Sequence, residues 1–242
     1  MRDRLTDRAA SPGRAGPSRE PVQRPRPQRD GHGRYPTIDI PVTRLTDLGG
    51  TAGQVALTFD DGPEPRWTTE VLDVLDQTGT PATFFVLGSK IRGYEQTLTR
   101  MVRQGCAVEV HGWEHIRMTE QTDRERLRDM HRTADLIREV TGHAPTCLRP
   151  PEGRVSAAIL DEIRLVGLTP VFWSLHANDW TRPGTAAIEQ AIVHGLTGGS
   201  VVLLHDGGGD RSQTVAALPT IINAIRYCGF DAVTLPPAPA SG

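Results

Sequence analysis

The stretch VALTFDDGP, residues 55–63, runs from an apolar segment into two adjacent carboxylates and a Gly-Pro turn. Val55–Phe59 reads as a strand, with Asp60 and Asp61 at its C-terminal end. Neighbouring side chains on an extended chain point in different directions, so one carboxylate can bind a metal while the other faces a reacting water. Taken alone, Asp-Asp-Gly-Pro is more often an ordinary solvated turn.

Outward from this stretch, short β-branched runs alternate with amphipathic ones. Strands are expected at Val55–Phe59, Ala82–Leu87, Ala107–Val110, Thr146–Leu148, Thr169–Leu175, Ser200–Leu204 and Asp231–Leu235. Helices are expected at Thr68–Thr78, Tyr94–Gln104, Asp123–Thr141, Ser156–Val166, Thr185–Gly195 and Gln213–Cys228, from apolar spacings of three and four. Such alternation marks an α/β protein with a largely parallel sheet. An open doubly wound sheet would give the same pattern. Polar clusters following strands one, three, four, five and six favour a ring, a distorted (β/α) barrel of seven strands, (β/α)7.

The 242 residues suffice for one domain. From residue 1 to 48 the chain is rich in Arg, Pro and Gly and is expected to be a disordered tail; 49–242 is the folded domain. A net charge of −2 without a basic block in the folded part excludes the usual nucleic-acid footprint. No apolar run is long enough to span a membrane. Cys106, Cys147 and Cys228 are too few and too scattered for a disulfide framework or a CxxC metal pair. Arg supplies nearly all the basic charge, Lys90 being the sole lysine. The start of the chain lacks the apolar core of a secretory signal, so a cytoplasmic location is expected as written, with an extracellular or cell-wall one if the true start differs.

His111–Gly112–Trp113–Glu114–His115 follows the third strand and places two imidazoles four positions apart, on one face if the turn is helical. Glu114 does not stand where an HExxH protease needs it. Asp61, His111 and His115 together offer one oxygen and two nitrogens, leaving a fourth position open as in catalytic zinc sites. Arg149, in RPPEG at 149–153, suits the task of holding Asp60. His205, ending the strand before Asp206, has the titration range of a general acid.

The ordered set TFDDGP (58–63), HGWEH (111–115), RPPEG (149–153), DW (179–180) and LLHD (203–206) resembles the five motifs of the polysaccharide deacetylase family, the NodB-homology or carbohydrate esterase family 4 domain. The resemblance runs from about Val55 to Leu235. It implies a metal-dependent hydrolase that removes N-acetyl groups from an amino-sugar polymer or oligomer. In that scheme Asp60 is the general base, His205 the general acid, and Asp61, His111 and His115 the metal ligands. Arg149 orients Asp60, and Asp179 tunes the acid and base. The backbone N–H of Glu152 faces the oxyanion, and Leu203 and Trp180 wall the acetyl methyl pocket. The expected metal is Zn2+, with Co2+ or another divalent ion able to replace it.

Trp113 is a further candidate for stacking on a sugar face. The chain departs from the family pattern at Gly112, where Ser or Thr is usual, at Glu152, where Tyr or Phe is common, and at His176, where Asp often stands. The substrate is expected to be a carbohydrate or an acylated amine, and the protein a monomer without nucleic-acid or membrane partners. Two other readings fit the sequence: an intracellular deacylase of a small acylated amine, and a non-catalytic carbohydrate-binding module. The latter would require loss of Asp60 or His205, and both are present.

Overall fold

The computed structural model describes residues 36–235. Eight strands form one sheet: β1 (Gln54–Asp60), β2 (Thr83–Val86), β3 (Ala107–Val110), β4 (Cys147–Leu148), β5 (Thr169–Pro170), β6 (Leu175–His176), β7 (Val201–His205) and β8 (Asp231–Val233). The helices are α1 (Trp67–Thr78), α2 (Glu95–Arg103), α3 (Asp123–Thr141), α4 (Ala157–Leu165), α5 (Thr185–Gly195) and α6 (Ser212–Tyr227). Every strand pairing is parallel, in the order β5-β4-β3-β2-β1-β7-β6, with β8 also on β1. β8 pairs with the start of β1 and β2 with its end.

The seven-strand expectation holds in outline, but the strand expected at Thr169–Leu175 divides in two. Its start, β5, pairs with β4, and its end, β6, pairs with β7, so one run of chain closes the ring. At the break, Val42 bridges to Trp173, and Phe172 N–H donates to the Thr43 hydroxyl. The barrel therefore borrows its last contacts from the chain before residue 48.

That finding corrects the expected tail boundary for 36–48. Leu45 and Leu48 are buried in a 3-10 turn, and Leu45 N–H donates to Gly199 O at 2.8 Å. Averaged composition hid Ile38, Ile40, Val42, Leu45 and Leu48 among Arg, Pro and Gly neighbours. Residues 1–35 of the expected tail lie outside the described residues.

Local chemistry explains the helix ends. Thr122 accepts from Glu125 N–H and Glu125 answers at Thr122 N–H, a capping box that starts α3 and contributes about 1 kcal/mol. α1 and α3 stop at Gly79 and Gly142, both left-handed. The six fully buried or nearly buried residues of β1 after Gln54 set its C-terminal carboxylates deep in the ring. Among the described residues no helix is long and apolar enough to cross a membrane.

Candidate active site

The C-terminal ends of β1, β3, β4 and β7 and the loops beyond them surround a cleft of about 870 Å3. Asp60 ends β1 with its side chain 5% exposed, and Arg149 Nη1 donates to its Oδ1 at 2.7 Å. Arg149 is wholly buried. It also donates to the Thr58 hydroxyl (2.8 Å) and to Phe172 O (2.9 Å), and lies over the Phe85 ring. Its planar fork is thus held on several sides before it meets Asp60.

Asp61 turns into the left-handed region at φ 76°, a conformation costing a non-glycine residue about 1–2 kcal/mol. Its carbonyl accepts from Lys90 Nζ at 2.9 Å, and the next carbonyl, of Gly62, accepts from Leu87 N–H. These contacts hold its carboxylate towards two imidazoles. Asp61 Oδ1 lies 3.3 Å from His111 Nε2 and 3.4 Å from His115 Nε2. It is buried and has no hydrogen-bond donor.

His111 Nδ1 sits 2.7 Å from Arg149 O. A proton there leaves Nε2 with its lone pair facing Asp61, the arrangement usual for a metal-ligating histidine. One ligand atom from each of Asp61, His111 and His115 falls within 4.8 Å of the others. An orphaned carboxylate oxygen, an imidazole fixed in its ligating tautomer and a second, more exposed imidazole fit a divalent cation with room for another ligand. Burial works against charge on Asp61, but His111, then His205 and His115, hold its carboxyl below the usual carboxylate range.

The His111–His115 loop is not the helical turn expected. Gly112 takes φ 101°, and the carbonyls of Gly112 and Trp113 accept from Gly88 and Ser89 N–H. Glycine is needed at that φ, so its presence after His111 shapes the loop.

The expected role of Trp113 is corrected. Its ring packs so closely on Gly88 that a Cβ there would come within 2.6 Å, and Arg132 lies 3.8 Å over its centroid. It lines a small neighbouring crevice with Met118 and Met130 rather than the cleft.

Across the cleft, His205 ends β7. Its Nδ1 is 2.8 Å from Asp179 Oδ1, and its N–H donates to Asp179 Oδ2, which also accepts from Thr214 Oγ1. Asp179 is 1% exposed. Burial lowers the His205 pKa, but the hydrogen bond and charge of Asp179, with Asp60 and Asp61, raise it above the ordinary value overall. Trp180 stands edge-on to His205 at 5.3 Å and stacks on His176. Trp180, Leu203 and Glu152 line the cleft, with the Glu152 carboxylate drawn to Arg117 Nε at 2.7 Å.

The turns after β1 and β7 abut main chain to main chain. A Cβ on Gly207 would overlap the Asp61 carbonyl, and one on Gly62 would overlap the Asp206 carboxyl. Burial, with some help from Asp61 and Asp60 and against the Thr68 hydroxyl, pushes that Asp206 carboxyl up to about 7.

Sequence reasoning missed Lys90, Thr214 and Ile40. Lys90 was visible only as the sole lysine, and nothing in the local sequence marks Thr214.

A parallel barrel with a His-His-Asp group, a buried carboxylate–Arg pair and an imidazole–carboxylate pair around one cleft defines a metal-dependent hydrolase. The chain belongs to the polysaccharide deacetylase family, whose model matches residues 49–171. Its enzymes remove acetyl groups by hydrolysis. The chain is 35% identical over 183 residues to a peptidoglycan-N-acetylglucosamine deacetylase of Bacillus cereus, covering 75% of this chain and 85% of that one. It is 39% identical over 205 residues to a chitooligosaccharide deacetylase of Sinorhizobium fredii, covering 80% and 95%. A family 4 acetyl xylan esterase from Clostridium thermocellum, solved with a cobalt ion, superposes with TM-score 0.71 at 32% identity, covering 75% and 88%.

Proposed function

We propose that this protein is a Zn2+-dependent deacetylase of N-acetylated amino-sugar polymers or oligomers, of the chitin or peptidoglycan kind. The observation that carries this reading is the convergence of Asp60–Arg149, Asp61–His111–His115 and His205–Asp179 on one cleft. The relatives named for peptidoglycan and chitooligosaccharide support the substrate class.

Asp61, His111 and His115 would hold the ion, which when bound supplies Lewis acidity to the acyl carbonyl and the attacking water. Asp60, oriented by Arg149, takes the proton of that water. The backbone N–H of Glu152 donates to the oxygen on which charge develops. His205 gives its Nε2 proton to the departing amine nitrogen, while Asp179 fixes its other nitrogen. Leu203 and Trp180 enclose the acetyl methyl group. One proton moves to Asp60 and one leaves His205 as the C–N bond breaks, so a free amine and acetic acid, which ionises to acetate, result.

Acetate release from N-acetylated chito-oligosaccharides and peptidoglycan fragments, measured beside zinc content, tests the assignment. A zinc-loaded protein that releases no acetate from any acetylated glycan would defeat it.

A further inference from the structure

Ile40 is an apolar residue at the cleft surface, 38% exposed, nine positions before the family match begins. Stretches outside regular strands and helices are usually mobile unless tied down. This one is tied on both sides. Ile38 N–H donates to Val155 O at 3.1 Å, Thr43 N–H donates to Trp173 O at 3.3 Å, and Val42 bridges to Trp173. The Thr43 hydroxyl accepts from Phe172 N–H at 3.0 Å, and the carbonyl of Phe172 accepts from Arg149.

Ile40 also has a built seat. Gly153, at φ +64°, leaves a slot in which a Cβ would lie 3.0 Å from the Trp173 ring and 3.1 Å from Ile40 Cγ2. The missing side chain lets Ile40 and Trp173 approach over the glycine, and both line the cleft. Aliphatic and aromatic walls of this kind bind the C–H faces of a pyranose, whose hydroxyls lie around the ring edge.

We propose that Ile40, together with Trp173, forms a specificity-determining wall that packs against a sugar ring adjacent to the one being deacetylated. This rests on the carbohydrate reading above. It makes the pinned segment 38–43 part of the working cleft, and its effect grows with substrate length.

The test compares the full-length protein with its Ile40→Ser and Ile40→Leu variants on N-acetylglucosamine dimers and pentamers, following acetate. For Ile40→Ser, KM on the pentamer rises about tenfold, with kcat within about twofold, and the dimer, whose second ring can sit on either side of the reacting one, loses less. Ile40→Leu restores the pentamer KM. If the wild type is active and Ile40→Ser keeps its pentamer KM, the wall is wrong and the carbohydrate reading stands. Equal loss on dimer and pentamer marks a general structural defect and also overturns the proposal. A wild type inactive on both overturns the wall, and the carbohydrate reading falls with it if peptidoglycan fragments also release no acetate.

Discussion

The carbonyl of Arg149 lies 2.7 Å from His111 Nδ1, while the guanidinium of the same residue lies 2.7 Å from Asp60 Oδ1. Main chain and side chain of one residue thus serve two different groups, a metal-site imidazole and the proposed base. Substitution separates them, because only the side chain is lost.

Arg149→Lys therefore retains metal near the wild-type content while kcat falls by about a hundredfold or more. Arg149→Ala leaves Asp60 buried without its partner and destabilises the fold by about 3–5 kcal/mol. Metal analysis, acetate release and denaturant unfolding read the three quantities. Loss of metal in Arg149→Lys would show that the side chain, too, supports His111.

Asp60→Asn and His205→Ala lose turnover by about a hundredfold to ten-thousandfold and still bind the ion. His111→Ala, which removes a ligand, loses the ion itself. Elemental analysis alongside acetate release distinguishes the two classes. Wild-type rates in Asp60→Asn on the authentic substrate would remove it as the base.

Asp179→Asn moves the alkaline limb of kcat/KM to lower pH. Burial lowers the His205 pKa and the Asp179 hydrogen bond and charge raise it, so without that charge the imidazole loses its proton sooner. The sign for stability follows from the raised folded value. The His205–Asp179 contribution is complete below the unfolded value of about 6.5 and is lost as pH rises through the folded one. Thr214→Val, which removes one donor from Asp179, leaves that charge less dispersed and shifts the limb slightly the other way, to higher pH. Parallel pH–rate profiles settle both directions.

Lys90→Met weakens metal retention against a chelator, because the Asp61 carbonyl loses its donor at 2.9 Å and the left-handed turn loses a constraint. Lys90→Arg retains more of it. Competition with a chelating dye measures the effect, and equal retention in all three proteins would contradict it. With only one lysine in the chain, amine-directed labelling of a side chain reports on this residue alone.

The strand carrying Asp60 and Asp61 was legible because an apolar run with polar residues at its end has few structural meanings. His111, His115 and His205 were legible for the same reason, each at or just beyond the end of a strand in a ring. Trp113 misled because adjacency to a ligand says nothing about direction; close packing on Gly88 and the cover of Arg132 turn it away from the cleft. The division of Thr169–His176 was hidden because its cause, the Val42 and Thr43 contacts, comes from residues some 130 positions earlier. Such tertiary control of strand pairing leaves no local trace.

The glycine contact between the turns after β1 and β7 has a bearing on redesign. With Gly62 and Gly207 leaving no slack, the offset between the Asp61 turn and the end of β7 at His205 is a backbone dimension that no rotamer change will widen. A larger acyl group has to be admitted elsewhere, by trimming Leu203, Trp180 or His176. On the wall proposed above, new glycan preferences belong to Ile40, Glu152 and their neighbours. The molecule thus divides into a fixed reaction frame and an editable rim.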